Sequence, residues 1–264
     1  MQLSRTPFPV STISAGQLTA SVFFNRQELG KAAALHILKY LKNLQNEQNE
    51  IRMVVGSAPS QDEFFENLTS VPESKQIDWS KIIVFHMDEY VGLSANHPQS
   101  FRTYQFKHFV NKVQLKDFHP IKGEASDPEK ECIRISTLLS EAPIDLVCAG
   151  IGENGHLAFN DPPVADFDDP KWAKIVELDR KCRQQQVNDG CFATIEEVPK
   201  QAITLTLKVF SQANKLICVV PGRTKAEAVK ATLYGPISTA CPATLTREHP
   251  NARLFLDPDS AASH

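Results

Sequence analysis

Short continuous apolar runs alternate along the chain with longer segments whose apolar residues recur at helical spacing. Ile51–Val55, Leu216–Val220, and residues 81–85, 145–149, 203–207 and 253–256 are rich in Val, Ile, Leu and Phe. Runs this short fall below helix length, and unbroken apolar character marks strands covered on both faces. Residues 25–44 carry Ala33, Ala34, Ile37, Leu38 and Leu41 at helical spacing, and residues 101–113, 127–139 and 224–233 read as further helices. Strands alternating with helices predict a three-layer, doubly wound α/β fold of Rossmann type, a mainly parallel sheet with helices on both faces. Ser60-Gln61-Asp62-Glu63 has the form of a capping box, so a helix start is expected there, and a strand, a turn and a helix start in succession suit a phosphate.

Two of the predicted strands run straight into acid/base groups. Residues 81–85 lead into His86-Met87-Asp88-Glu89-Tyr90, and residues 145–149 lead into Gly150-Ile151-Gly152-Glu153-Asn154-Gly155-His156. Carboxyl ends of parallel strands are where open α/β sheets bind ligands, so Asp88 and His156 are expected on one rim. An Asp with a His supplies a general base and a general acid near neutral pH. Asp161, five residues beyond His156, is the candidate to orient the imidazole. The Pro-rich stretch 161–170 is too interrupted for either kind of element, and a loop beside the site, with a lid over residues 162–185, is expected. His86 and Asp88, two apart on a strand, share a face and are the alternative reading as metal ligands, without a third ligand at a telling spacing.

Composition narrows the class. The 264 residues carry a net charge of −3 with Lys and Arg dispersed, which argues against a nucleic-acid partner. No apolar run approaches bilayer length and residues 1–7 lack the apolar core of a signal peptide, so no membrane partner and a cytoplasmic location are expected. The six cysteines form no C-x-x-C pair and read as reduced core residues. With no linker composition anywhere, residues 1–264 are expected to form a single domain.

Several motifs, in order, carry a resemblance. Residues 87–93 (MDEYVGL), 97–100 (HPQS), 152–162 (GENGHLAFNDP), 198–206 (VPKQAITLT) and 222–226 (GRTKA) resemble the signatures of glucosamine-6-phosphate deaminases. The resemblance implies opening of an amino-sugar phosphate ring, transfer of a proton from C2 to C1 and expulsion of ammonia, with no cofactor and no metal. It implies Asp88 as the C2 base and His156 as the ring-opening acid/base, supported by Asp161 and Asn154. Ser57, Ser60, Gly155, Arg183 and Lys225 are the implied substrate and phosphate contacts, and a homo-oligomer is one option, since family members are frequently oligomeric. Two departures stand out: the family's commonest pattern has Glu at the position of Asp161 and often Asp at that of Asn154. The loop after Val55, Gly56-Ser57-Ala58-Pro59-Ser60-Gln61, is also shorter and poorer in glycine than the family's. The alternatives are a 6-phosphogluconolactonase, which usually shows Asp-Glu-Arg where this chain has Asp88-Glu89-Tyr90, and a non-catalytic sugar-phosphate-binding regulator.

Overall fold

The computed structural model describes residues 6–262; of the segment 1–7 read above for a signal peptide, residues 1–5 lie outside the described residues. In chain order the elements are β1 (Ser11–Ala15), β2 (Leu18–Val22), α1 (Arg26–Glu47), β3 (Ile51–Val55), α2 (Asp62–Ser70), β4 (Ile82–His86), β5 (Asp88–Tyr90) and α3 (Phe101–His108). They continue as β6 (Asp117–His119), α4 (Pro128–Ser140), β7 (Leu146–Ala149), β8 (Ala173–Glu177), α5 (Arg180–Asn188), β9 (Gln201–Leu205), α6 (Leu207–Gln212), β10 (Leu216–Val220), α7 (Ala226–Tyr234) and β11 (Ala252–Leu256).

Strands β1-β2-β11-β10-β7-β3-β4-β6, in that spatial order, form one eight-stranded sheet in which only the β1–β2 hairpin is antiparallel. The unbroken apolar runs have the expected cause. Successive side chains leave opposite faces of a strand, so Met53 and Val55 join a cluster with Leu38, Leu41 and Phe65 of α1 and α2, while Val54 joins the opposite cluster with Ile135 of α4 and Val229 of α7. Helices therefore cover both faces. Helix starts follow side-chain chemistry: Asn25, Asp127 and Ser100 each accept a backbone N–H at the start of α1, α4 and α3.

Three sequence expectations are corrected. The Ser60–Glu63 capping box does not form: Pro59–Gln61 make a 3-10 turn, α2 begins at Asp62, and Glu63 instead pairs with Arg26 at 2.7 Å. Pro59 starts the turn early, and Gln61 N–H already reaches the Ala58 carbonyl at 2.8 Å. The run at 203–207 is not in the main sheet. It is β9, which ends at Leu205 and pairs antiparallel with both β5 and β8 in a separate three-stranded sheet. Within the stretch read as a lid, residues 173–177 are a strand of that small sheet and residues 180–185 are the first turns of α5; the irregular part is confined to 162–172 and the 178–179 connection.

Candidate active site

β4 ends at His86, and the chain crosses to the small sheet at β5, so Met87 bridges the two sheets: its N–H reaches Val55 O at 3.2 Å and its carbonyl accepts Leu205 N–H at 2.8 Å. Asp88 is thereby turned toward the carboxyl ends of β3 and β7. A narrow cleft of about 60 Å³ opens there, lined by Asp88, His156, Ser57, Ser60 and Lys225 together with Gln61, Gln185 and Gln186. A larger cleft lies elsewhere, between α1, β2 and β11, and contains none of these groups. The shared rim expected from the two strand ends is observed.

Asp88 is 6% exposed and its Oδ1 has no hydrogen-bond partner. Burial, and secondarily the charge of Glu89, push its pKa well above the usual carboxylate range. Glu89 points the other way and ties β5 to the start of α3, accepting from Ser100 Oγ at 2.9 Å and from the backbone N–H groups of Tyr90, Phe101 and Arg102. Burial raises the Glu89 pKa as well, with these four donors opposing.

His156 lies on a loop that needs its glycines. A β-carbon at Gly152 would stand 2.1 Å from the imidazole, so only glycine lets the ring lie against that turn. Downstream, a tight turn brings Asn160 N–H to Leu157 O at 3.1 Å, with Ala158 held at φ 51, and Asn160 Nδ2 donates to the Leu157 and Leu205 carbonyls. That turn sets Asp161 behind the ring, its Oδ1 2.9 Å from His156 Nδ1. Asn154 closes the arrangement: its Nδ2 donates to Asp161 Oδ1 at 2.9 Å and its Oδ1 accepts His156 N–H at 3.1 Å. Burial works to raise the Asp161 pKa, but the contacts from His156, Asn154 and the Asp179 N–H outweigh it and hold the carboxyl below its usual range. Asp161 is thus a fixed anion 2.9 Å from Nδ1, and although the angle is not that of a hydrogen bond, its charge favours the tautomer protonated there and leaves Nε2 for chemistry.

On the opposite wall, Ser57 Oγ accepts from Gln105 Nε2 at 2.9 Å and Ser60 Oγ accepts from Gln61 Nε2 at 3.1 Å. Lys225 ends a 3-10 turn leading into α7, and burial lowers its pKa against the opposing charges of Asp189 and Glu153. Two expected contacts are not in the cleft. Arg183 donates through Nη2 to the Ile195 and Val198 carbonyls, at 3.0 Å for the latter, and so braces the loop after α5. Gly155, at φ 83, packs on Cys241, where a β-carbon would meet Sγ at 2.5 Å, so its role is close packing. His86 is fully buried, accepts Ile121 N–H at Nε2 (2.6 Å), and stands on a different sheet from Asp88, which removes the shared strand face behind the metal reading of that pair.

Sequence reasoning missed the α5 side of the site. Gln185 and Gln186 line the cleft, Gln185 accepts Glu153 N–H at 2.9 Å, and Cys182 lies beside Asp161. Uncharged glutamines and one cysteine on a polar helix carry no periodic or charge signal that would single them out.

Comparison with known proteins agrees with this geometry. The family model described as glucosamine-6-phosphate isomerases/6-phosphogluconolactonase matches residues 25–255. A glucosamine-6-phosphate deaminase of Thermoanaerobacter pseudethanolicus is 34% identical over 241 residues, covering 90% of this chain and 92% of its own. One from Listeria monocytogenes is 34% identical over 216 residues, 82% and 88% of the two chains. Among solved structures, a monomeric glucosamine-6-phosphate deaminase superposes with a TM-score of 0.83 at 25% identity, covering 94% of this chain and 99% of that one. A 6-phosphogluconolactonase from Thermotoga maritima shares the fold, with a TM-score of 0.73 at 15% identity, covering 91% and 99%.

Proposed function

Since the chain belongs to the glucosamine-6-phosphate isomerase/6-phosphogluconolactonase family, we propose that it is an enzyme converting glucosamine 6-phosphate to fructose 6-phosphate and ammonia. The observation that carries this reading is one cleft lined by Asp88, His156 and Lys225, with Asp161 directed at the far nitrogen of the imidazole. In the proposed reaction His156 Nε2 exchanges a proton with the ring oxygen as the sugar opens, and Asp161 stabilises the charge that forms on the imidazole. Asp88 then removes the C2 proton. A carboxylate starved of water and of hydrogen bonds is a stronger base than one in solution, which suits the abstraction of a carbon-bound proton. The same carboxyl, once protonated, can return the proton at C1, which leaves a C2 imine; water adds to C2 and ammonia then leaves, so the ketone oxygen comes from water.

Lys225 with the Ser57 and Ser60 hydroxyls is the proposed seat of the phosphate, a point charge and two short donors in place of the guanidinium expected at Arg183. The preference over lactone hydrolysis rests on the deaminase relatives and on Tyr90, which is buried against Phe101 and Phe159 in the small-sheet core. Among the described residues no helix is long and apolar enough to cross a membrane, and a cytoplasmic location is part of the proposal. The test is incubation with glucosamine 6-phosphate, galactosamine 6-phosphate and 6-phosphogluconolactone in parallel. Ammonia and fructose 6-phosphate from the first support the assignment; lactone hydrolysis without ammonia release replaces it, and no turnover with any of the three leaves a binding protein.

A further inference from the structure

We propose that His156, Asp161 and Cys182 together bind a zinc ion and that its binding inhibits the enzyme. The effect on turnover rests on the function proposed above; the binding itself does not. One nitrogen, one oxygen and one sulfur from the three side chains lie within 4.8 Å of one another, and among the described residues no other three histidine, cysteine or acidic side chains converge in this way. All three are buried, at 8%, 1% and 1% exposure. They arrive from separate parts of the fold: His156 from the loop after β7, Asp161 from the turn behind it, and Cys182 from the first turn of α5.

A tetrahedral zinc site, with bonds of about 2.0 Å to nitrogen and oxygen and about 2.3 Å to sulfur, separates its ligand atoms by about 3.3–3.7 Å. His156 Nδ1 and Asp161 Oδ1 start closer than this, at 2.9 Å, and the widest separation in the group is no more than 4.8 Å. Side-chain movements of about 1 Å therefore bring all three atoms to bonding distance. Thiolate with imidazole favours zinc over magnesium or calcium, and three protein ligands leave a fourth position for water.

Binding breaks Cys182 S–H, whose proton goes to solvent, and moves the ring proton of His156 from Nδ1 to Nε2, so that the ring binds as neutral imidazole; Zn–S and Zn–N form, the Asp161 carboxylate adds Zn–O, and no electron is transferred. Asp161 then faces a metal rather than an imidazole N–H. The ring can no longer become an imidazolium stabilised by that carboxylate, so ring opening stops while Asp88 is untouched.

The test uses the full chain as wild type, Cys182→Ser and Cys182→Ala, each checked by its thermal melt. Cobalt(II) serves as the spectroscopic probe and zinc chloride as the inhibitor, each variant being compared with its own uninhibited rate. The expected wild-type result is one equivalent of cobalt, an intense thiolate-to-cobalt band, and zinc inhibition reversed by EDTA. Loss of the ligand in Cys182→Ala removes the band and weakens zinc by more than the tenfold to hundredfold typical of losing an outer-shell partner. Cobalt binding without a thiolate band, or zinc inhibition undiminished in both variants, overturns the proposal. A protein inactive on glucosamine 6-phosphate that still shows the band keeps the metal site and loses the assigned reaction, so the two failures are distinct.

Discussion

Replacing Asp88 by Asn keeps the size and shape of the side chain and removes only its ability to ionise, which separates two consequences of its burial. The first is kinetic. With no base at C2, deamination and solvent exchange of the C2 proton are both expected to fall by at least about a hundredfold. The second is thermodynamic and has the opposite sign. The native state holds this carboxyl well above its ordinary pKa through desolvation and the charge of Glu89. A raised native pKa means that the folded protein favours the protonated form more than the unfolded chain does. That contribution is fully present below the unfolded value of about 3.9 and is lost as pH rises through the native pKa. Every tenfold in that preference amounts to about 1.4 kcal/mol, and for a chain of this size each kcal/mol moves Tm by about 2–4 °C. The Asn amide carries its own cost of burial, but that cost does not titrate. Melting wild type and variant at about pH 4 and about pH 8 should therefore show the variant gaining on the wild type between the two conditions. A constant difference would mean that Asp88 is not desolvated, and wild-type C2 exchange in the variant would remove it from the mechanism.

Lys225→Ala should raise KM for the phosphorylated sugar by about tenfold to a hundredfold, the worth of a charge-assisted hydrogen bond, with a smaller change in kcat; an unchanged KM moves the phosphate elsewhere. Arg183→Ala should leave KM unchanged and lower stability by about 1–3 kcal/mol, because it removes the guanidinium donor from the Val198 carbonyl and leaves the Ile195 carbonyl with only the Val198 N–H; a raised KM at unchanged Tm would return Arg183 to the phosphate. Asp161→Asn should slow turnover of the cyclic sugar more than that of an open-chain analogue, and equal losses on both would remove Asp161 as the partner of His156. EDTA should not lower the activity, since the proposed proton transfers use side chains alone; loss that a divalent ion restores would make the reaction metal-dependent.

Five strands of the large sheet, β3, β4, β7, β10 and β11, were legible because burial on both faces leaves an unbroken apolar run, and each lies within a few residues of its predicted place; β1, β2 and β6 carry no such run and were not read, and the run at 203–207 became β9 of the small sheet. β9 carries the same signal but pairs antiparallel with β5, a strand of three residues, and β8, and pairing partners are not written in a local run. Asp88 and His156 were legible because the chain marks strand ends with acid/base groups and glycines. The α5 wall was not. Arg183 offers the charge a phosphate wants, yet on a helix Gln186 lies three positions on and nearly a full turn further, and which face meets the cleft depends on how the helix docks. Gln185 and Gln186 line the cleft while Arg183 reaches back to Ile195 and Val198, so the residue with the strongest chemical signal serves the loop and the neutral pair beside it forms the wall.

The two aspartates show how one fold assigns different work to the same functional group. Asp88 and Asp161 are both almost wholly buried, and burial acts on each to favour the protonated form. What differs is the supply of donors. Asp161 has His156 Nδ1, Asn154 Nδ2 and Asp179 N–H directed at it, so it stays ionised and serves as a fixed charge. Asp88 has an oxygen with no partner, beside a second carboxylate that takes its donors from Tyr90 and the start of α3, so it holds a proton readily once it has taken one. A base that must lift a proton from carbon and give it back needs the second environment; an orienting anion needs the first. On this account the departures at Asn154 and Asp161 are coupled. The shorter Asp161 still reaches Nδ1 at 2.9 Å, and the neutral Asn154 can donate to that carboxylate where a second carboxylate would repel it. Asn154→Asp alone should therefore weaken the dyad rather than restore a more usual site.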